Sequence, residues 1–158
     1  YLGNYALAIQ IVSLLSICNI FFAKYLLTND SRNITNKNLK KFYLLINISI
    51  GISAAALLPI VTPFFFPEFS DLWILGIMSL NVIPVSITML KHSELLGNEK
   101  SKPTVYGAII ATITMIVGML ILVPNIGIIG AAITSLTTYS AQASFLLLYS
   151  KLHKRNFR

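Results

Sequence analysis

The chain has 158 residues, 56% of them hydrophobic and only 11% charged, with a mean hydropathy of +0.77. A soluble domain carries about 25% charged residues, so this sequence cannot present a polar surface to water and reads as one membrane-embedded domain. The net charge of +7 would suggest nucleic acid in a soluble protein, but here the placement of the charges decides, and the single cysteine, Cys18, excludes an internal disulfide.

Crossing the hydrocarbon core takes about 20 apolar residues in a helix. Five runs reach that length: residues 7–27, 42–66, 72–90, 104–123 and 126–149. Backbone groups in lipid must be bonded within their own segment, which favours helices, and the runs lack the alternating polar face of barrel strands. The expected fold class is an all-α integral membrane protein of about five transmembrane helices in a single domain, residues 1–158. Tyr1 is not an initiator methionine and no basic leader precedes the first run, so the chain is expected to be a piece of a longer one.

In chain order, the first run carries Gln10, Asn19 and, near its end, Lys24. The polar, basic stretch T-N-D-S-R-N-I-T-N-K-N-L-K-K follows. The second run holds Asn47, Pro59 and Pro63 and ends in the aromatic F-F-F-P-E-F, which with Trp73 marks an expected outer interface. The third contains Asn81 and Pro84 and closes on Lys91. The segment K-H-S-E-L-L-G-N-E-K-S-K-P then turns through Gly97, and Pro103 signals a helix start. Pro124 and Asn125 alone separate the fourth and fifth runs, which predicts a very tight αα-hairpin. The tail is K-L-H-K-R-N-F-R.

The twelve Lys and Arg residues fall at Lys24, at Arg32, Lys37, Lys40 and Lys41, at Lys91, Lys100 and Lys102, and at Lys151, Lys154, Arg155 and Arg158. In an alternating five-helix topology all of them lie on one side. The positive-inside rule puts that side in the cytoplasm, with the N-terminus outside and the C-terminus inside a multi-pass cytoplasmic-membrane protein. The basic charge is therefore a topology signal, and the expected surroundings are membrane lipids with no nucleic acid. All five acids, Asp30, Glu68, Asp71, Glu94 and Glu99, fall between the runs, which leaves no buried carboxylate for a proton relay or for intramembrane proteolysis. Neither His92 nor His153 has a partner at metal-ligand spacing. No enzyme activity, metal or cofactor is expected. The sequons at Asn29, Asn33 and Asn47 fall inside or in lipid and carry no weight.

Two groups of residues within the runs need a reason to be there. Gln10, Asn19, Asn47 and Asn81 must face protein or water, either as interhelical hydrogen bonders or as the lining of a cavity. The stretch V-P-N-I-G-I-I-G-A-A-I-T-S-L-T-T-Y-S has no Lys and no strand, so it is not a phosphate loop. On a helix, Gly127, Ala131, Ser135 and Thr138 share a stripe, as do Gly130, Thr134 and Thr138. Gly107, Ala111 and Gly118 repeat the device in the fourth run. Small residues let helices approach closely in lipid; a hinge or a cavity wall is the alternative use.

A tight Pro-containing turn, then G-x-x-G-A-A and a Ser/Thr/Ala-rich helix with a basic tail, resembles the closing helix of polysaccharide exporters and lipid-linked oligosaccharide flippases. These belong to the multidrug/oligosaccharidyl-lipid/polysaccharide exporter superfamily. The opening Y-L-G-N-Y-A-L-A-I-Q resembles that family's Gly-x-Tyr-x-x-Ala helix opening, and L-K-K-F and L-L-G-N-E-K-S-K-P-T resemble its later loops. F-F-F-P-E-F stands in place of a Leu-Phe-Gly-x-x-Tyr turn without the Gly, and A-K-Y-L-L-T-N where members often have a Pro. The resemblance implies a two-half helical transporter bundle, of which this chain is the second half without its first helix. The remaining N-terminal half of the same chain is then a partner. It implies a lipid-linked glycan substrate moved across the membrane by alternating access, with Gln10, Asn19, Asn47 and Asn81 as candidates for a sugar-accepting cavity. Lys24 and Lys91 then either attract the anionic headgroup or snorkel as anchors. The alternatives are a drug/cation antiporter of the same superfamily, a membrane-anchor module of a glycan-assembly complex, and a membrane-embedded transferase, for which E-F-S-D is the only carboxylate pair.

Overall fold

A computed structural model of the chain describes residues 2–31, 37–65, 72–97 and 101–155. The described chain is helical throughout, with no strand: α1 (Leu2–Ser31), α2 (Lys37–Phe65), α3 (Leu72–Leu80), α4 (Val82–Gly97), α5 (Lys102–Ile126) and α6 (Ile128–Arg155). Asn38–Phe64, Ile74–Gly97 and Lys102–Ile126 are long and apolar enough to cross a membrane by length and composition. α6 is not one of these three, being diluted by Thr134, Ser135, Thr137, Thr138, Ser140 and Gln142. Most of the expected aromatic turn after Phe64, and the side chains of Cys18, Trp73 and His153, lie outside the described residues.

The helices differ from the apolar runs at several ends and at one internal break, and three of these differences have a local reason. First, α1 continues through Ser31 and α4 through Gly97, so Asp30 and Glu94 sit on helices rather than in loops. In α4 the extra turns are supported by an ion pair one turn apart, Lys91 Nζ to Glu94 Oε2 at 2.7 Å, and by the buried Leu95. Second, the third run is broken at Asn81. Pro84 has no N–H for the carbonyl of Leu80, and its ring crowds that carbonyl. The chain answers with one tighter turn, in which the Asn81 N–H donates to Met78 O at 3.1 Å, before Val85 N–H donates to Asn81 O and α4 begins.

Third, the reversal between the last two helices is at Gly127, and Pro124 and Asn125 are still helical. Asn125 Nδ2 donates back to Ile121 O at 2.6 Å and Gly127 N–H to Val123 O at 2.9 Å, closing the last turn of α5. Gly127 has φ 66° and ψ −137°, a conformation that a side chain disfavours.

Close contacts fix how the helices run. α5 and α6 form an antiparallel hairpin, since Gly107 packs on Leu146, Gly118 on Thr134 and Gly130 on the Leu122 backbone. A Cβ at Gly118 would stand 2.6 Å from Thr134 Cγ2, and one at Gly130 2.5 Å from Leu122 O. Elsewhere, Ile74, Leu75, Met78 and Ala132 form a core with Ile11, Leu58 and Ile128 near the Gly127 end. Leu26, Tyr43 and Leu90 form a second core with Leu39 and Leu44 at the opposite end. α1 and α3–α4 therefore run in one direction and α2 in the other. The lysines whose side chains are described, Lys24, Lys40, Lys41, Lys91, Lys102 and Lys151, all fall toward the second end, hereafter the basic end.

The two glycines at the turn are required for different reasons, which substitution separates. Gly130→Ala should destabilise the detergent-solubilised protein by about 1–3 kcal/mol, because a backbone carbonyl blocks the new methyl group. Gly127→Ala, with open space around it, should cost about 1–3 kcal/mol through its backbone conformation alone. Exposed Ile129→Ala should stay within about 0.5 kcal/mol. Thermal unfolding followed by circular dichroism checks all three, and equal effects of Gly130→Ala and Ile129→Ala would remove the close-packing account.

Candidate functional site

Between the two cores the bundle is incompletely filled. A cavity of about 430 Å³ is lined by Ile9, Ser13, Asn19 and Ile20 of α1, by Met78 of α3, Asn81 at the break, Val85 and Met89 of α4, and by Met115 of α5 with Ser135 and Tyr139 of α6. α5 leans on α6 and touches α4 only lightly. Ile9, Ile20, Met115 and Tyr139 are exposed, so the cavity opens sideways between α1 and α5.

Two amides, Asn19 and Asn81, line this largely apolar space beside the hydroxyl-bearing Ser13, Ser135 and Tyr139. Asn19 is fully buried and its Oδ1 accepts a hydrogen bond from the Tyr43 hydroxyl at 2.8 Å. Tyr43, itself buried and tilted against Phe22, is held in turn where Asn47 Nδ2 donates to its backbone carbonyl at 2.8 Å. Asn81 Nδ2 donates to Ser135 Oγ at 2.8 Å. Ser135 has already committed its proton to Ala132 O at 2.8 Å, so only the Asn81 NH₂ can face it, and the amide orientation follows. Likewise the buried Tyr43 hydroxyl needs an acceptor, which turns Asn19 Oδ1 toward it. One donor, Asn19 Nδ2, and one acceptor, Asn81 Oδ1, are left buried with no hydrogen-bond partner among the described residues.

Of the residues singled out from the sequence, the structure brings Asn19 and Asn81 together in the cavity. Asn47 stands behind Tyr43 and does not line it, and Gln10 is exposed beside it. Lys24 is exposed on α1 near the basic end. Lys91 donates to Glu94 and, at 3.2 Å, to Ser150 Oγ on α6. Gly107, Gly118, Gly130 and the buried Thr134 lie in the α5–α6 contact. Ala131 is buried, Ala111 half-buried, and Gly127 is the turn itself, where a Cβ would touch nothing within 4 Å. Tyr43, Tyr139 and the methionines have no motif that marks them in the sequence. Three of the four methionines of the chain line the cavity; neither their role nor that of Tyr43, the second residue of the second run, has a signal in the sequence pattern.

Among the described residues there is no cluster of three or more His, Cys, Asp or Glu able to hold a metal. No protein-family model, curated protein or solved structure matches this chain.

The Lys91 ammonium is engaged by two partners, so its removal should register as stability. Lys91→Gln and Glu94→Gln should each cost about 0.5–1 kcal/mol, and the double variant less than their sum, because the two side chains make one interaction. Additive losses in a thermal-unfolding cycle would show that the pair contributes nothing.

Proposed function

We propose that the chain is part of a membrane transporter, inserted as five spans with α3 and α4 forming one. In this reading the basic end lies in the cytoplasm and the Gly127 turn outside, as the positive-inside rule requires. The observation that carries the reading is the helix broken at Asn81 in the wall of a laterally open cavity. Transporters place discontinuous helices at their substrate sites, where freed backbone and buried amides meet cargo, whereas a helix that only anchors gains nothing from a break or a void. The flippase or exporter type is favoured over a cation antiporter because no carboxylate lines the cavity among the described residues, and exchange for a cation needs one. The resemblance to lipid-linked oligosaccharide flippases supplies the class of cargo, an amphiphile with a glycan head. Lys24, exposed near the basic end, is the better candidate for headgroup attraction, since Lys91 is tied to Glu94 and Ser150.

Orientation is tested with single cysteines in a Cys18→Ala background. Ile126→Cys should react with an impermeant maleimide on intact cells, and Lys102→Cys and Lys151→Cys only after permeabilisation. The reverse pattern overturns the topology.

The broken helix is tested through Pro84. Pro84→Ala restores an N–H to the third span and removes the ring that crowds Leu80, so it should leave the protein at least as stable. Flipping of a fluorescent polyprenyl-phosphate-linked sugar by the complete protein in proteoliposomes should fall on the order of tenfold or more as the Asn81 amide leaves its position. Undiminished flipping by this variant sinks the idea that the break serves transport.

A further inference from the structure

We propose that the cavity between α1 and α5 binds an uncharged, mostly hydrocarbon molecule through a single hydroxyl, which accepts from Asn19 Nδ2 and donates to Asn81 Oδ1. The proposal rests on the transporter reading only in calling such a molecule cargo; the binding site stands without it. The lining decides the charge first. Among the described residues no Lys, Arg, His, Asp or Glu lines the cavity, so an ion there would lose its hydration and meet no counter-charge.

The walls decide the body of the ligand. Ile9, Ile20, Val85 and the three methionines Met78, Met89 and Met115 supply hydrocarbon and thioether, and methionine adapts to ligands of varied shape. A volume of about 430 Å³ falls in the range of small-molecule sites. The opening between α1 and α5 faces sideways, so a hydrocarbon chain enters from the lipid rather than from water.

The amides decide the polar group. Asn19 and Asn81 are 0% and 3% exposed; both residues line the cavity, and each keeps one buried amide atom without a partner among the described residues. Tyr43 and Ser135 fix both orientations, so the free atoms are a donor and an acceptor. A hydroxyl is the smallest neutral group that both accepts and donates. An ether or ketone meets only Asn19 and leaves Asn81 Oδ1 bare, which costs more than the lost bond alone. Water meets the amides but does not fill the apolar walls.

The test uses purified protein in lipid nanodiscs with four diazirine-bearing probes: dodecanol, its methyl ether, dodecane and dodecyl phosphate. Photolabelled peptides are mapped by mass spectrometry. Dodecanol should label the Ile9–Ile20, Met78–Met89 and Met115 segments on the order of tenfold more than the ether or the alkane, and the phosphate should not label them. Asn81→Leu should reduce dodecanol labelling to the ether level. Where that variant fails to fold, the probe series on the unaltered protein still decides. Equal labelling by alcohol, ether and alkane, absence of labelling from these segments, or preference for the phosphate each overturns the proposal, the second meaning that the cavity holds water only. Selective binding without flipping in proteoliposomes removes the transporter reading and keeps the site; flipping without alcohol selectivity does the reverse.

Discussion

Pro84 has no N–H to give the carbonyl of Leu80, and the middle of the bundle is arranged around that deficit. A continuous helix from Leu72 to Gly97 would carry Asn81 as one more helical side chain. The break instead makes Asn81 the residue between α3 and α4, with its N–H drawn back to Met78 and its side chain bonded to Ser135 of α6. α3 contributes to the core at the Gly127 end and α4 to the core at the basic end, through Met78 and Leu90 respectively. The cavity occupies the interval between them. Pro59 does not break α2 in the same way. It leaves the carbonyl of Ala55 without its helical donor, and α3 closes over it, with Gly76 near enough that a Cβ would lie 3.6 Å from that oxygen.

Polar side chains in such a bundle are scarce, so their commitments can be followed to the end. Most hydroxyls return to a carbonyl three or four residues back on their own helix: Ser79 to Leu75, Ser86 to Val82, Thr88 to Pro84, Thr134 to Gly130. They satisfy themselves and specify no neighbour. Interhelical bonds among the described residues include Tyr43 to Asn19, Asn81 to Ser135 and Lys91 to Ser150. The first two flank the cavity and the third closes the basic end. Each is individually modest, but they join α1 to α2 and α4 to α6 at chosen heights, which hydrocarbon packing alone does not do.

The helical class was legible because continuous apolar runs of span length admit little else. Helix ends were less so. Hydropathy marks where hydrocarbon stops, and α4 continues past that point on an ion pair and Leu95, a local effect with no hydropathic signature. The reversal at Gly127 was misplaced by two or three residues, since Pro124 reads as a turn signal although a proline near a helix end only forfeits one bond. Asn19 and Asn81 were legible as residues needing a partner. That they meet in one cavity while Asn47 turns away behind Tyr43 depends on helix rotation, which no pattern along the chain encodes.

The small residues explain why the cavity can exist where it does. Gly107, Gly118 and Gly130 draw α5 so closely onto α6 that α5 needs little other support, and only 6% of its apolar window is buried. Had α5 been bulky on that face, it would have needed a second neighbour. Close packing on one side thus leaves α5 free of α1 on the other. Met115 and Tyr139 reach the space from the hairpin side and Ile9, Ser13 and Ile20 from α1. The width of the opening is therefore set by the seat of the hairpin on α3 and α4, and the bonds from Asn81 to Ser135 and from Lys91 to Ser150 hold that seat. Asn81, which lines the cavity and keeps its Oδ1 without a partner among the described residues, thus also holds the cavity wall in place.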